Sequence, residues 1–308
     1  MRVYPASAVD PDADAATATP GPGLVWAHGG GFVAGDLEMP EADWVARTLA
    51  DRGVTVVSVD YRLAGDGCRY PAPSDDVLAA WRWTLANADR LGIDPARLVI
   101  GGASAGANLV SGAVLRLLAG RDHSDSAGGA PAADATLDVA SDSRAPSAAA
   151  TPTPLPAGVF LAYPTLLAVQ PAPDGALRAL LDANPDADRF GPDEVRRMYE
   201  QYLGGPVDDA PLPVAPGRAA ASDLDGFPAV LMINAEADEL RVTGEVFAAS
   251  LVAAGVPLEL VVEPGTMHGH LNRPDEPAAS ASIDRVARWI ARLATHQTTL
   301  RITEGITP

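Results

Sequence analysis

A chain of 308 residues with a formal net charge of −18 is long enough to bury a substantial core, as one large α/β domain or two smaller ones, and its charge repels nucleic acid and anionic membrane surfaces. Its 22 basic side chains are all arginine, a compositional bias that carries no chemistry, and its single cysteine, Cys68, excludes an intrachain disulfide and a cysteine-built metal cluster. No charged leader with an apolar core opens the sequence and no apolar run could span a bilayer, so the cytoplasm is the expected compartment.

The first strand-like run, Leu24 to Ala27, passes directly into His28-Gly29-Gly30-Gly31-Phe32. Glycines leave backbone N–H groups open to a ligand oxygen and allow dihedrals that other residues avoid. A helix around Glu41 to Asp51, a strand from Val54 to Val59 and a helix from Ser74 to Arg90 follow. Cys68 sits between them in a turn-like stretch, Gly65-Asp66-Gly67, and lacks the setting of a catalytic thiol. Next, the apolar Leu98-Val99-Ile100 leads into Gly102-Ala103-Ser104-Ala105-Gly106 and a helical stretch from Asn108 to Leu118. A strand, a serine bracketed by small residues and a helix form the pattern of a nucleophile elbow. Acyl transfer by such a serine needs preset donors for the oxyanion that develops on the attacked carbonyl. In the corresponding lipase and esterase pattern, a glycine-rich loop and the residue after the nucleophile supply them. Here those N–H groups belong to Gly30, Gly31 and Ala105.

Beyond the elbow, Gly120 to Ala157 is rich in Ala, Ser, Asp, Pro and Gly, with almost no large apolar residue. It cannot offset the entropy of its own ordering and reads as a solvated or disordered insertion. The segment from Ala168 to Gly226 carries one helical piece, Pro192 to Leu203, whose Met198, Tyr199 and Tyr202 face either a pocket or the core. A strand from Ala229 to Ile233 then delivers Glu236, Asp238 and Glu239 into one loop, and a strand from Leu258 to Val262 precedes His268 and His270. A helix from about Ser280 to Leu293 closes the chain. Apolar runs alternating with amphipathic helices imply a mostly parallel sheet with helices on both faces, and ligands bind such sheets beyond the carboxyl ends of the strands.

A serine hydroxyl is a poor nucleophile without a base, and the base needs a carboxylate to fix its tautomer. Of five histidines, His123 lies in the low-complexity stretch, His296 in the tail, and His28 shapes the glycine loop, which leaves His268 and His270. Solvation is the ordinary fate of a loop carboxylate, and it is expected for Glu239 and open for Glu236.

These motifs resemble the hormone-sensitive-lipase-like branch of the α/β-hydrolases, bacterial carboxylesterases with an H-G-G-G loop. Val59-Asp60-Tyr61-Arg62-Leu63-Ala64, Tyr70-Pro71-Ala72-Pro73, Leu91-Gly92-Ile93-Asp94-Pro95, Tyr163-Pro164, Ala235-Glu236-Ala237-Asp238 and Gly265-Thr266-Met267-His268-Gly269 extend the likeness in the family's order, from about Val3 to the helix of Trp289. The resemblance implies an α/β-hydrolase fold over residues 1–308, with the insertion at about 120–157 and a reduced cap at about 168–226. It implies Ser104 as nucleophile, His268 as base and Asp238 as its acid, in the usual chain order. It further implies hydrolysis of small to medium acyl esters through an acyl-enzyme, with a small-molecule ester as partner and without cofactor or metal. A non-catalytic receptor for small molecules, or amide or lactone hydrolysis, would use the same scaffold. Departures from the pattern are visible. Only a short leader precedes His28, and in it Val3-Tyr4-Pro5 resembles the family's second strand, so the N-terminal cap helices and first strand are expected to be missing and the pocket to be open or covered by a second copy in a homodimer. Ala103 replaces a common acid beside the nucleophile, and Val242 and Thr243 stand where acidic residues are usual.

Overall fold

The computed structural model describes residues 1–7, 19–126, 152–187 and 190–303, without the side chains of 121–126 and 294–303. Its sheet has seven strands, β1 (Arg2–Tyr4), β2 (Gly21–Ala27), β3 (Thr55–Val59), β4 (Ile93–Ala103), β5 (Val159–Ala162), β6 (Val230–Ala237) and β7 (Leu258–Met267), in the order β1-β3-β2-β4-β5-β6-β7. Only β1 is antiparallel, pairing with β3 at one edge; the remaining pairs are parallel. This is the α/β-hydrolase fold.

Among the described residues six α-helices lie between these strands and a seventh follows the last: α1 (Pro40–Ala50), α2 (Ala72–Ala86), α3 (Ala105–Ser126), α4 (Gly175–Ala183), α5 (Pro192–Leu203), α6 (Arg241–Ala253) and α7 (Pro277–Thr303). Side chains alternate across a strand, so Leu24 and Trp26 enter one core and Val25 and Ala27 the other. On the first face Val45 and Leu49 of α1 and Ile283, Val286 and Trp289 of α7 pack on Trp26 and Phe160, whose rings stack at 5.3 Å. On the second, Trp81 of α2, Val110 and Val114 of α3 and Phe247 of α6 cover Val25, Val57, Ile100 and Leu161. Burial on both faces explains why all five positions of β3 are buried and its valines, Val56, Val57 and Val59, divide between the two cores instead of alternating with exposed polar residues.

Local chemistry sets the helix ends. Helix α5 starts with Pro192 at its first turn, where no donor is lost, carries Asp193 and Glu194 against the positive end of its dipole, and stops at Gly204, whose φ of 86° is left-handed. Helix α4, which the sequence did not announce, is capped by Asp174, whose carboxylate accepts from the N–H of Leu177 at 2.8 Å, and it buries Leu177 and Leu181.

Two expectations need correction. Helix α3 runs from Ala105 to Ser126 instead of from Asn108 to Leu118. The expected insertion therefore begins in a helix; its centre, 127–151, lies outside the described residues. Its end, 152–157, is loop in which Pro152 and Pro154 are exposed but which is tied to the fold where the indole of Trp81 donates to the carbonyl of Pro154 at 3.0 Å and where Pro156 is buried.

Between β6 and β7 the register shifts. Ala235 pairs with Glu263 but Ala237 pairs with Met267, so β7 bulges there. The residues that follow the re-established pair are Asp238 and His268.

Candidate active site

Strand β4 ends at Ala103 and helix α3 begins at Ala105, which leaves Ser104 alone on the corner, with a φ of 51°. A non-glycine residue in this region costs about 1–3 kcal/mol and persists only where its surroundings enforce it. Enforcement comes from the neighbouring strand, since the Ser104 N–H donates to the carbonyl of Ala162 at 2.9 Å. Helix α3 must then leave the corner close to β2, which admits only a small residue at Gly106.

Asp238, fully buried, follows β6, and His268 follows β7. Nδ1 of His268 is 2.7 Å from Oδ2 of Asp238, and Nε2 is 2.9 Å from Oγ of Ser104. A carboxylate can only accept. Nδ1 therefore carries the proton, and Nε2 is left to accept from the serine hydroxyl. The second carboxylate oxygen of Asp238 accepts from the N–H of Leu240 at 2.9 Å, which fixes the rotamer of the acid. Tyr163 and Phe190 hold the imidazole edge-on, with ring centroids at 5.0 and 4.6 Å.

The other carboxylates of that loop do different work. Glu236 is half-buried and accepts from the N–H of Gly265 at 2.8 Å, tying the β6 loop to the β7 bulge. Glu239, expected at the solvated surface, is buried in the turn that joins β6 to α6. His270 is fully buried and its Nε2 is 2.9 Å from Oγ of Ser282, which in turn donates to Glu263 at 3.1 Å. Burial, and then the nearby His268, push the His270 imidazole down to about 4, so it is neutral at ordinary pH. It is a structural polar group of the α7 side. The side chains of His123 and His296 lie outside the described residues.

The glycine loop lies across the cavity mouth from His268. Gly30 has a φ of 111°, and a β-carbon there would meet the carbonyl oxygen of Ala34 at 2.0 Å, so no other residue fits. Stacked on Tyr61 at 4.5 Å, the ring of His28 places Nδ1 2.7 Å from the carbonyl oxygen of Gly29. Among the described residues, the N–H groups of Gly30 and Gly31 make no backbone hydrogen bond. The N–H of Ala105 is in the first turn of α3 and has no intrahelical acceptor.

A cavity of about 660 Å³ opens onto these groups; Gly30, Gly31, Ser104 and His268 line it together with the apolar Met39, Phe190, Val195 and Met198 and the polar Glu194, Arg197 and Gln201. Ala105 is buried and does not line it. Of the α5 residues left open between pocket and core, Met198 faces the cavity, whereas Tyr199 and Tyr202 are buried against Phe32, with Tyr202 stacked on it at 4.2 Å. Among the described residues no cluster of His, Cys, Asp and Glu could hold a metal ion, and no helix is long and apolar enough to cross a membrane.

Sequence reasoning missed Glu41, Phe190 and Asn272, all of which line the cavity. Glu41 is 1 % exposed although it occupies the first turn of α1, where acids are usually solvated. Its only signal was its position shortly after the glycine loop.

Known proteins resemble this arrangement over most of its length. A family model described as an alpha/beta hydrolase fold matches residues 24–272. The carboxylesterase NlhH of Mycobacterium tuberculosis is 36 % identical over 257 residues, covering 82 % of this chain and 67 % of that protein. The ethyl acetate hydrolase of Pseudomonas putida is 32 % identical over 278 residues, 87 % of this chain and 70 % of that one. Among solved structures, a bacterial heroin esterase is similar with a TM-score of 0.65 and 31 % identity, covering 95 % of this chain and 83 % of the other.

Proposed function

The chain belongs to the hormone-sensitive-lipase-like carboxylesterases of the α/β-hydrolase fold, and from that membership we propose that Ser104, His268 and Asp238 carry out its ester hydrolysis, with Gly30, Gly31 and Ala105 as oxyanion donors. The observation that carries this reading is the unbroken relay from Asp238 Oδ2 through the imidazole to Ser104 Oγ, at 2.7 and 2.9 Å.

The chemistry follows from those contacts. Oγ of Ser104 attacks the ester carbonyl as Nε2 of His268 takes its proton; the imidazolium that forms is stabilised by Asp238, which stays ionised. Negative charge moves onto the carbonyl oxygen, where the N–H groups of the glycine loop and of Ala105 receive it. Collapse of the tetrahedral intermediate breaks the bond to the alkoxy oxygen, and His268 returns its proton to the departing alcohol. A water molecule, deprotonated by His268, then attacks the acyl-enzyme and releases the acid.

Apolar walls from Met39, Phe190, Val195 and Met198 around a cavity of about 660 Å³ favour uncharged acyl groups of small to medium length. A series of aryl esters of increasing chain length measures that range. The charge balance of −18 disfavours anionic membrane surfaces and supports action on dissolved esters.

The decisive experiment is covalent labelling with a fluorophosphonate. The native enzyme should be modified at Ser104 and lose all turnover, and Ser104→Ala should take up no label and hydrolyse no ester above the buffer rate. Retained hydrolysis in that variant would move the nucleophile elsewhere.

A further inference from the structure

We propose that Glu41 is a positioning residue that ties the oxyanion loop to the histidine side of the site, an inference that rests on the Ser104–His268–Asp238 reading. The carboxylate of Glu41 is almost wholly buried, and each of its oxygens serves a different wall of the site. Oε1 accepts from the N–H of Gly29, the residue that leads into the two proposed loop donors. Oε2 accepts from the hydroxyl of Tyr163 and, at 3.2 Å, from the amide of Asn272. Tyr163 packs edge-on against both His268 and His270, and Asn272 closes the loop that carries them.

Main-chain contacts seat the residue as firmly as its side chain does. Its N–H donates to Oδ1 of Asn272 at 3.2 Å, and its carbonyl accepts from the indole of Trp26 at 2.8 Å. The carboxylate is also close to the nucleophile: a β-carbon built on Gly29 would lie 2.7 Å from Oε1 of Glu41 and 3.1 Å from Cβ of Ser104. Among the described residues no arginine pairs with it; the partners above are neutral donors. Burying an ionised group without a counter-charge is costly, so this acid is a poor choice for packing alone.

The loop it holds needs such an anchor. Three successive glycines have wide conformational freedom, yet oxyanion stabilisation depends on donors that are fixed before the reaction. The peptide between Gly29 and Gly30 is planar, so its carbonyl and the N–H of Gly30 point in opposite directions. Tyr61 Oη at 3.0 Å and His28 Nδ1 at 2.7 Å hold that carbonyl, which aims the Gly30 N–H the other way. Glu41 holds the preceding N–H, so both peptides ahead of the donors are clamped, one of them to the same carboxylate that seats Tyr163 against the base.

The test compares Glu41→Gln and Tyr163→Phe with the native enzyme on one aryl ester. A misaimed donor is felt by the transition state more than by the bound ester, so Glu41→Gln should lower kcat by about 100-fold, the scale of losing one oxyanion donor, with KM nearly unchanged. Tyr163→Phe keeps the carboxylate and its Asn272 contact and cuts the branch that packs on the imidazole; it should lower kcat by about tenfold, again at constant KM. A folded Glu41→Gln enzyme with native kcat, or one whose loss lies in KM, overturns the inference. Should Glu41→Gln not fold, native kcat in Tyr163→Phe overturns it. Fluorophosphonate labelling of Ser104 in the native enzyme separates the two readings: if Ser104 labels and Glu41→Gln is fully active, only the role of Glu41 fails.

Discussion

A β-carbon on Gly106 would lie 2.2 Å from the carbonyl oxygen of Ala27 and 2.4 Å from that of His28. The first turn of α3 thus rests directly on the end of β2, and the Ser104 corner and the glycine loop meet backbone to backbone. Gly106→Ala should therefore be destabilising despite the better helix propensity of alanine. Overpacking against rigid backbone costs about 1–3 kcal/mol or more, and displacement of His28 would carry the glycine loop with it. A lowered urea midpoint together with reduced kcat is expected; a native midpoint would mean the two segments yield without cost.

Replacing the acid of the relay tests which carboxylate serves it. Asp238→Asn keeps the shape but favours the wrong imidazole tautomer, so kcat should fall on the order of 10⁴-fold, as in the serine-protease case. Glu236→Gln should stay within about threefold of native kcat, because its carboxylate is engaged with the N–H of Gly265. A reversed ranking of the two variants would transfer the role to Glu236.

Acid stability should report on His270. Its folded value of about 4 lies below the ordinary 6.5, so as pH falls the unfolded chain takes up the proton first. The sign is fixed by that order: the contribution is complete above pH 6.5 and is lost progressively as pH falls from there towards about 4. The loss approaches about 3 kcal/mol at the acid end. Urea midpoints measured from pH 7 down to pH 4.5 should drop more steeply for the native protein than for His270→Phe, in which Ser282 keeps its bond to Glu263. Parallel curves would show that protonation of this imidazole is not resisted by the fold.

Much of the site was legible because its chemistry restricts residue identity at fixed places. The strained corner at Ser104, the glycine loop and the order Ser104, Asp238, His268 all follow from what a hydrolytic serine needs. Strands β2, β3 and β6 were readable as apolar runs because both of their faces are covered. Glu41 was not legible, since an acid in the first turn of a helix is ordinarily a solvated partner of the helix dipole, and only the packing of α1 against the glycine loop buries it. Glu239 was misread because a carboxylate in a loop is ordinarily solvated, and nothing in its local sequence marks its turn as buried. The bond from His270 to Ser282 joins a loop to a helix face, and nothing in the local sequence of either residue points to the other. Helix α4 escaped notice because its leucines, Leu177 and Leu181, form too short an apolar stripe among prolines to stand out.

The shift between β6 and β7 makes the meeting of acid and base a matter of counting. From Ala235 to Ala237 one strand advances by a single intervening residue, while its neighbour uses three between Glu263 and Met267. The surplus lets Asp238 and His268 leave the sheet abreast. Were the ladder to run on from Ala235 and Glu263 without that surplus, Thr266 rather than His268 would stand opposite Asp238, and the imidazole would lie two residues beyond the acid. In this enzyme the length of one short detour, as much as the identity of any side chain, sets whether the fold hydrolyses anything.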